Sequence, residues 1–252
     1  MERQKISVVI NTYNASQHLE KALQAAKDFD EIVVCDMEST DNTLDIARKY
    51  GCKIVTFPRG EHRIAEPART TAIRAATNPW VLVVDADEIV TPELREAVYE
   101  AVNRNDGTAG YMIPRKNLFM GMYIRDFHYE KLLRLFLRDK TTWPPYIHSI
   151  PEVAGSVGKI EGDNICLLHL MDETIEEYVS KMNTYTTSEL PKKANRHYTF
   201  WSLTWRPFWR FFKKYIMDGS FRMGTRGYIR ALMAAYYQFI LISKAMEKRY
   251  RK

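Results

Sequence analysis

The sequence predicts an α/β fold built on a doubly wound mixed sheet, followed by a helical appendage rich in basic and aromatic residues. Short apolar runs alternate with amphipathic helical patterns along residues 6–103, and the links between them are short. Such alternation is typical of parallel strands with helices on both faces of the sheet. Beyond Gly107 long loops separate the strands, and from residue 191 the pattern is mainly helical.

Four strand–helix units account for the N-terminal part of this pattern. Each predicted strand is a short apolar run: Ile6–Ile10, Glu31–Cys35, Lys53–Phe57 and Trp80–Val84. Each following helix has a start signal: Ser16 as a cap, Asp41 as the first residue, Pro67 in the first turn and Pro92 at the opening. Ligands of such sheets bind beyond the carboxyl ends of the strands. Polar residues stand at these ends here: Asn11, Asp36, Asp85 and Asp87.

The later elements are predicted from the same signals. Further strands are expected at Ala109–Ile113, Lys131–Leu137 and Ile165–Leu168, with a proline-rich loop at Trp143–Glu152. Helices are expected at three places: Thr174–Leu190, Pro207–Met217 and Gly227–Arg249.

The composition indicates a globular chain with unevenly distributed charge. The 252 residues are 46% hydrophobic, which supports a large core, and the N-terminus has no signal-peptide pattern. Three scattered cysteines, Cys35, Cys52 and Cys166, indicate reduced core residues of a cytoplasmic protein rather than a disulfide or zinc set. The net charge is +6, yet residues 191–252 contain fifteen basic and two acidic residues. This tail favours an anionic surface as a partner.

The end of the fourth strand carries the most specific local signal. Val81–Val84 runs into Asp85 and Asp87, and residues two apart in a strand project to the same side. Two neighbouring carboxylates repel each other unless a cation lies between them. Such oxygen ligands suit Mg²⁺ or Mn²⁺, which in turn suit a diphosphate. The alternative is a polar strand end that caps the next helix.

Four motifs make the sequence similar to family 2 glycosyltransferases, which have the Rossmann-like GT-A fold. The resemblance covers residues 5–104, and the motifs occur in the family's order and spacing: Ile6–Asn14, Cys35–Thr43, Pro67–Arg69 and Asp85–Glu88. Bacterial transferases that build lipopolysaccharide cores are the most similar group, through more loosely matched features: Leu133–Phe136, His148, His169 and the aromatic C-terminus.

The resemblance also implies a domain organisation. A GT-A catalytic domain would comprise residues 1–190, with a nucleotide-sugar-binding half at 1–106 and an acceptor-binding half at 107–190. Residues 191–252 would then form the helical C-terminal extension.

The resemblance implies a role for each motif in binding a nucleotide-sugar donor. Asp36 would contact a uracil-type base, and Thr12 and Asn14 would lie near the ribose. Arg69 would contact the diphosphate, because a guanidinium group matches phosphate oxygens better than an ammonium group does. Met37, Glu38 and Thr70 depart from the family's usual residues, and Glu38 is not expected to adopt a positive φ easily.

Metal binding and base catalysis are expected from further residues. Asp87 would bind Mg²⁺ or Mn²⁺ directly, while Asp85 would contact the ribose or the metal's water shell. His169 is either a third metal ligand or an ordinary structural histidine. Glu152 is the first candidate for the base that deprotonates the acceptor, with His148 as the alternative base or substrate contact. Both could instead be ordinary polar loop residues.

The tail combines tryptophans with basic residues. Trp201, Trp205 and Trp209 are four residues apart and are interleaved with Arg and Lys, as suits the headgroup region of a membrane. The apolar run Ala231–Ile242 is too short to span a bilayer. The alternative is a helical cap packed on the domain with a solvated basic face. No recognition motif supports nucleic-acid binding.

These features predict a metal-dependent, inverting glycosyltransferase of the hexosyltransferase type. It would use a nucleotide-sugar donor, with UDP favoured, and a hydroxyl of a lipopolysaccharide-core or other lipid-linked glycan as acceptor. It would be peripheral on the inner face of the cytoplasmic membrane. The alternatives are transfer to a polyprenyl phosphate and a non-catalytic nucleotide-sugar-binding or membrane-associated protein. A haloacid-dehalogenase-like phosphatase is disfavoured, because its Asp pair would lie on the first strand rather than the fourth.

Overall fold

Parallel strands alternate with helices through the first half of the computed structural model, which describes residues 3–62, 64–127, 129–146, 149–162, 164–191 and 196–251. The elements of this half follow in order: β1 (Ile6–Thr12), α1 (Leu19–Ala26), β2 (Glu31–Asp36), α2 (Thr43–Lys49), β3 (Lys53–Thr56), α3 (Glu66–Ala75), β4 (Trp80–Asp85), β5 (Glu88–Val90) and α4 (Pro92–Asn103). The predicted α/β class is confirmed, and β5 is an addition that the sequence pattern did not indicate.

The second half begins with strands and ends with helices. Its elements are β6 (Thr108–Phe119), β7 (Met122–Tyr123), β8 (Glu130–Leu137), β9 (Thr141–Thr142), β10 (Glu152–Val153), β11 (Ser156–Lys159), β12 (Leu167–His169), α5 (Ile175–Ser188), α6 (Phe200–Phe212) and α7 (Thr225–Tyr250). A π-helical turn, Lys213–Met217, continues α6.

The main sheet has the strand order β3-β2-β1-β4-β8-β6-β12-β5. The first four strands in this order pair in parallel, whereas β8 pairs antiparallel with both β4 and β6. The sheet is therefore mixed, and the strand–helix units supply its parallel part. Thr12 lies opposite Asp36 and Asn11 lies opposite Asp85 in the strand register. The polar ends of three neighbouring strands consequently lie side by side.

Alternate residues of β1 contribute to apolar layers on the two faces of the sheet. Ile6, Val8 and Ile10 pack with α1 and α4, while Val9 packs with α3. All four side chains are fully buried, and burying a side chain of this size contributes about 1.5–3 kcal/mol. Because both faces are covered, β1 is almost continuously apolar up to its polar end.

The three cysteines are unpaired, as predicted. Cys35 and Cys166 are buried, and Cys52 is partly buried. Burial raises the pKa of the Cys35 thiol to about 11, with a further contribution from Asp36, and burial alone raises that of Cys52 to about 11. Both thiols are therefore protonated and unreactive at neutral pH.

The last three helices are defined by capping boxes and one close contact. Thr174 with Glu177 opens α5, and Thr199 with Ser202 opens α6. A Cβ atom at Gly227 in α7 would lie 1.8 Å from the Ser220 carbonyl oxygen, so only glycine fits there. Within the described ranges, no helix combines the length and the apolar character needed to cross a bilayer.

The chain folds into two compact units. The sheet unit contains the residues up to Lys116 together with Glu130–Leu170, and the C-terminal unit contains Asn117–Tyr129 together with the residues from Met171 onward. These bounds differ from the domains expected at residues 1–190 and 191–252, which stay a prediction about domain organisation.

Three predicted helix starts are wrong. Helix α2 begins at Thr43 rather than at Asp41, whose Oδ1 accepts from the Thr43 N–H at 3.0 Å. Helix α1 begins at Leu19 rather than directly after Ser16, whose N–H donates to Asp41 Oδ2 at 3.1 Å instead. Helix α6 begins at Phe200 rather than at Pro207, because the Thr199 capping box starts it seven residues earlier. Pro207 lies inside α6, where it removes one helical hydrogen bond without ending the helix.

Candidate functional site

The carboxylate of Asp36 joins the ends of β1 and β2. Its Oδ1 accepts hydrogen bonds from Thr12 Oγ1 at 2.8 Å and Ser39 Oγ at 2.6 Å, and its Oδ2 accepts from the Ser39 N–H at 2.8 Å. Asp36 is 1% exposed. A carboxylate has about four acceptor positions, and these bonds use most of them. The contact of Asp36 with a nucleobase stays a prediction.

Asn14 connects the loops that follow β1 and β2. Its N–H donates to Ser39 Oγ at 2.9 Å, and its Oδ1 accepts from the Thr40 N–H at 2.8 Å. Glu38 in the second loop has φ +61°, so the expectation that it would avoid a positive φ is wrong. This conformation costs a non-glycine residue about 1–2 kcal/mol. A hydrogen bond from the Arg59 N–H to Glu38 Oε2, 3.1 Å long, helps to offset that cost.

Two arginines hold Asp85 at the end of β4. Arg134 Nη2 donates to Oδ2 at 2.6 Å, and Arg69 Nη2 donates to Oδ1 at 2.8 Å. Burial raises the pKa of Asp85, but the charges of Arg134 and Arg69 outweigh burial and hold that pKa well below its ordinary value. Asp85 is therefore a carboxylate with both oxygens engaged, and its metal or ribose role stays a prediction.

Asp85 and Asp87 do not project together from one strand, so that prediction is wrong. β4 ends at Asp85, residues 86–87 form a turn, and β5 begins at Glu88. The turn ends the two-residue alternation of side chains, so the two aspartates have different neighbours: the arginines contact Asp85, and His169 lies beside Asp87.

A second buried carboxylate, Glu88, extends the arginine network. Its Oε2 accepts from the Asp85 N–H at 3.0 Å, and its Oε1 lies 3.2 Å from Arg115 Nη1 and 3.7 Å from Arg134 Nη2. Burial raises the pKa of Glu88, and the charge of Asp85 adds to the effect. The pairing with arginines is what makes the burial of Glu88 and the partial burial of Asp85 tolerable.

Arg69 was expected at the site from its motif, but Arg134 and Arg115 were not. Arg134 lies in an apolar strand segment, and a lone charge within Leu132–Phe136 is itself a signal. A buried arginine needs a carboxylate partner, and the buried strand end at Asp85 supplies one. Arg115 had no comparable signal, because its position becomes informative only once the strands pair, whereas Asn11 was expected at the end of the first strand.

Trp143 covers the guanidinium group of Arg69. The distance from Arg69 Cζ to the ring centroid is 4.5 Å, within the range of a cation–π contact. The Thr70 hydroxyl donates to the Trp143 carbonyl oxygen at 2.9 Å and accepts from the Trp143 N–H at 3.3 Å. Thr70, which departs from the family's usual residue, therefore fixes the backbone of the residue that covers Arg69.

Two buried side chains at this sheet edge keep polar groups without partners among the described residues. These groups are Nε and Nη1 of Arg69 and both amide atoms of Asn11, and each residue is only 8% exposed. Buried polar groups are rarely left unsatisfied. Phosphate oxygens would satisfy the donors of Arg69, and a ligand with both donors and acceptors would satisfy Asn11. The edge is therefore suited to a polar, anionic ligand.

Asp87 and His169 come together through the pairing of β5 with β12. The Leu170 N–H donates to the Asp87 carbonyl oxygen at 2.8 Å, and His169 Nε2 lies 3.3 Å from Asp87 Oδ2. A carboxylate and an imidazole suit a divalent ion such as Mn²⁺. The described part of the chain offers no group of three or more His, Cys, Asp or Glu side chains that could hold a metal. The remaining ligands would have to be waters and substrate phosphates, as is usual for Mg²⁺.

The two base candidates differ in what can be said of them. Glu152 is exposed on β10, opposite Thr142 of β9, and Thr142 directly precedes the residue that covers Arg69. His148 lies outside the described residues. The catalytic role of both residues stays a prediction.

The tail tryptophans lie on α6 and face outward. Trp201, Trp205 and Trp209 are 76%, 59% and 45% exposed, and no residue of α6 is buried. On another side of this segment the rings of Phe211 and Tyr215 lie 5.5 and 5.8 Å from that of Tyr228 in α7. The tail thus has one side on which α6 and α7 pack against each other and an exposed aromatic side, as the membrane alternative expected. Packing of the tail on the catalytic domain, which the cap alternative expected, stays a prediction.

The sequence is similar to known proteins along nearly its whole length. The sequence model described as "Glycosyl transferase family 2" matches residues 7–151. "Uncharacterized glycosyltransferase RC0292" of Rickettsia conorii is 29% identical, over 97% of this chain and 90% of that protein. "Lipopolysaccharide core biosynthesis glycosyltransferase LpsC" of Rhizobium meliloti is 26% identical, over 96% of this chain and 92% of that protein.

Solved structures share the fold at low sequence identity. Mannosyltransferase PcManGT from Pyrobaculum calidifontis, in complex with GDP-Man and Mn²⁺, has a TM-score of 0.54 and 15% identity, covering 100% of this chain and 76% of that one. S. aureus TarS 1-349 also has a TM-score of 0.54, with 16% identity, covering 98% and 91% of the two chains. Likeness at this level establishes the fold alone, and the predicted GT-A type architecture is confirmed.

Proposed function

Because the chain belongs to glycosyl transferase family 2, we propose that it is a metal-dependent, inverting enzyme that transfers a sugar from a nucleotide to a hydroxyl of a lipid-linked glycan. The observation that carries the proposal is the Asp87–His169 pair, in which Nε2 lies 3.3 Å from Oδ2. These two ligand types come from residues far apart in the sequence, and they meet near the end of β4, where Asp85 pairs with Arg69 of α3. A metal and a diphosphate would be bound together there.

The donor would bind across the ends of β1, β2 and β4. Thr12, Asn14 and Asp36 would hold the nucleoside, with UDP favoured because Asp36 matches the residue that contacts a uracil-type base. Arg69 would bind the diphosphate through its two unpartnered nitrogens, Nε and Nη1. Trp143 excludes water from one face of this guanidinium, which strengthens its interaction with an anion.

Asp87 and His169 fit Mg²⁺ or Mn²⁺ as two ligands of a site completed by waters and diphosphate oxygens. Bound there, the ion would stabilise negative charge on the departing nucleoside diphosphate. Asp85, which is paired with Arg69 and Arg134, would orient Arg69 or contact the ribose. Its alternative role is a contact with the metal's water shell. The complex of PcManGT with GDP-Man and Mn²⁺ supports a metal-dependent donor site by analogy of fold.

Glu152 is the proposed base that removes the proton of the acceptor hydroxyl, with His148 as the alternative. Attack of that hydroxyl on the face opposite the leaving diphosphate inverts the anomeric centre in a single displacement. Glu152 lies on an exposed strand, where an incoming acceptor could reach it.

The acceptor is proposed to be a lipopolysaccharide core or another lipid-linked glycan. LpsC, a lipopolysaccharide core biosynthesis glycosyltransferase, supports this, and the exposed Trp face of α6 supports peripheral attachment to the cytoplasmic membrane. A polyprenyl phosphate is the second candidate acceptor, because a phosphate nucleophile needs no strong base. Glycosyltransferase relatives disfavour the non-catalytic and phosphatase alternatives.

The Asp87→Ala variant tests the proposal. It should lose Mn²⁺-dependent release of UDP or GDP from the sugar nucleotides UDP-glucose and GDP-mannose, because one of the two protein ligands is removed. The fold should be retained, since Asp87 lies in a partly exposed turn. Asp45→Ala is the matched control, because Asp45 is an exposed carboxylate of the same unit whose side chain is 76% exposed. Full Mn²⁺-dependent activity of Asp87→Ala would overturn the metal role.

A further inference from the structure

A pocket of about 460 Å³ lies in the C-terminal unit, which is a volume typical of small-ligand sites. We call it the α6 pocket. Its lining includes four basic residues and no acidic one: Arg196, Arg206, Arg210 and Lys213. Arg206 and Arg210 are one helical turn apart, and Lys213 follows at the next, so three of these cations share one side of the helix. Within the described residues, no carboxylate forms an ion pair with these three. A bound anion would relieve their mutual repulsion.

Tyr198 gives an independent sign of a missing ligand in the same pocket. It lines the pocket, is 4% exposed, and its ring lies 5.2 Å from the Cζ atom of Arg206. Its hydroxyl group is buried and has no hydrogen-bond partner among the described residues. A buried tyrosine hydroxyl ordinarily has a partner. A ligand oxygen beside the arginines would supply one.

Apart from Gln238, the rest of the lining consists of two tryptophans that are exposed. Trp205 and Trp209 line the pocket, and their rings stack with centroids 6.4 Å apart. They belong to an exposed row of large apolar side chains on α6: Trp201, Trp205, Phe208, Trp209 and Phe212. Exposed apolar patches of this kind mark interaction sites. Trp beside Arg and Lys is characteristic of residues at the headgroup level of a bilayer.

We infer that the α6 pocket binds one membrane lipid molecule through the phosphate of its headgroup. The forked guanidinium groups of Arg206 and Arg210 match phosphate oxygens, and the tryptophans match the adjoining glycerol and acyl region. The inference rests on the proposed function in one respect, that the acceptor is lipid-linked. Such a site would act in addition to the general electrostatic attraction between the basic tail and an anionic membrane.

Titration with dihexanoyl phosphatidate below its micelle concentration tests the inference, with heat of binding and Trp fluorescence as readouts. The full-length protein should bind one molecule, and Arg206→Gln with Arg210→Gln should weaken binding by about tenfold or more, as loss of charge-assisted hydrogen bonds would. Lys248→Gln with Arg251→Gln is the matched control, because it removes the same charge from exposed positions outside the pocket. Its affinity should stay within about twofold of the unchanged protein.

Three results would overturn the inference. These are equal weakening in both double variants, binding without saturation at one molecule, and inorganic phosphate binding as tightly as phosphatidate, which would indicate a soluble phosphate. Circular dichroism and the melting temperature of each variant distinguish lost binding from lost folding. Asp87→Ala should bind phosphatidate like the unchanged protein. Its activity and its phosphatidate binding therefore report separately on the proposed function and on the pocket.

Discussion

Arg69 is the residue at which the buried ion-pair network meets the candidate donor site. One nitrogen of its guanidinium group donates to Asp85, and Trp143 covers one face of the group. The other two nitrogens, Nε and Nη1, have no partners among the described residues. The network therefore fixes the orientation of Arg69 before any ligand binds. Preorganised donors of this kind bind an anion without the cost of ordering a flexible side chain.

We expect Arg69→Lys to weaken binding of UDP in the presence of Mn²⁺ by about tenfold or more, because charge-assisted hydrogen bonds contribute about 1.5–3 kcal/mol each. A lysine ammonium group cannot donate in the forked geometry and would not stack on Trp143 in the same way. Titration calorimetry measures the dissociation constant. Arg74→Lys, on the exposed side of the same helix, is the control and should bind UDP normally. Equal affinities of the two variants would remove Arg69 from the donor site.

Glu152→Gln tests the assignment of the base. Losing a positioned general base typically lowers the rate by about 10²–10⁴. We expect turnover to fall by that order while the dissociation constant of the donor stays nearly unchanged, because Glu152 is assigned to the acceptor. Initial rates at saturating donor, together with UDP titration, separate the two effects. Unchanged turnover would move the role to His148 or to another carboxylate.

The sequence predicted the residues that follow strands and not those that support them. Asp36, Asp85 and Arg69 were identified because the motifs and the strand ends coincide, and the structure brings the ends of β1, β2 and β4 side by side. Asn11 was found at a strand end in the same way, but Arg115 could not be. Arg115 lies on β6 and contacts Glu88 of β5, and nothing local to either segment encodes that pairing.

At the scale of elements, a buried carboxylate organises the C-terminal unit. Asp126 is 5% exposed and accepts hydrogen bonds from Lys214 Nζ at 2.8 Å, Ser220 Oγ at 3.0 Å and Arg230 Nη1 at 2.6 Å. It thus links the loop before β8 to the turn that follows α6 and to α7. Burial raises the pKa of Asp126, but hydrogen bonds and charges from Arg230 and Lys214 outweigh burial and lower it.

Asp126→Asn should destabilise the protein by about 3–5 kcal/mol at pH 7, because it leaves two partly buried cations without their counter-charge. The lowered pKa means that the ionised form stabilises the fold above the ordinary aspartate pKa of about 3.9. This contribution is lost as the pH falls through the lower folded value, so the two proteins should converge in stability there. Urea unfolding between pH 3 and pH 7 measures the difference.

Asp218→Asn is the matched control for this element. Asp218 also contacts Lys214, at 3.1 Å, but its side chain is 30% exposed and the pair is one helical turn apart. Such pairs contribute less than about 1 kcal/mol. If Asp218→Asn lowered the free energy of unfolding as much as Asp126→Asn does, the burial of Asp126 would not be what makes its ion pairs important.

The elements themselves were predictable where local signals are strong. The apolar runs of β1, β2 and β4 and Pro92 at the start of α4 agree with the structure. β5 was not predicted, because a segment of three residues is too short to show the alternation of apolar and polar residues that indicates a strand. The start of α6 was misplaced because Pro207 is an effective start signal in general, whereas here the capping box at Thr199 precedes it.

At the scale of the whole molecule, the uneven charge and the exposed aromatic side chains coincide in one region. Fifteen of the 37 basic residues lie within residues 191–252, and the sequence of α6 contains no acidic residue. The sequence predicted this composition but could not show which side chains are exposed. The structure supplies that information, since the three tail tryptophans are each at least 45% exposed.

We expect the full-length protein to sediment with anionic liposomes at low salt and to be partly released at high salt, because charges beyond about 8–10 Å are screened near physiological ionic strength. The tryptophans should supply a part that salt does not remove. Replacing Trp201, Trp205 and Trp209 by Ala should therefore turn partial release into near-complete release. Their exposure means that the triple variant should keep its melting temperature. If the full-length protein stays in the supernatant at low salt, the membrane interpretation is wrong and the interpretation of the tail as a packed helical cap is favoured.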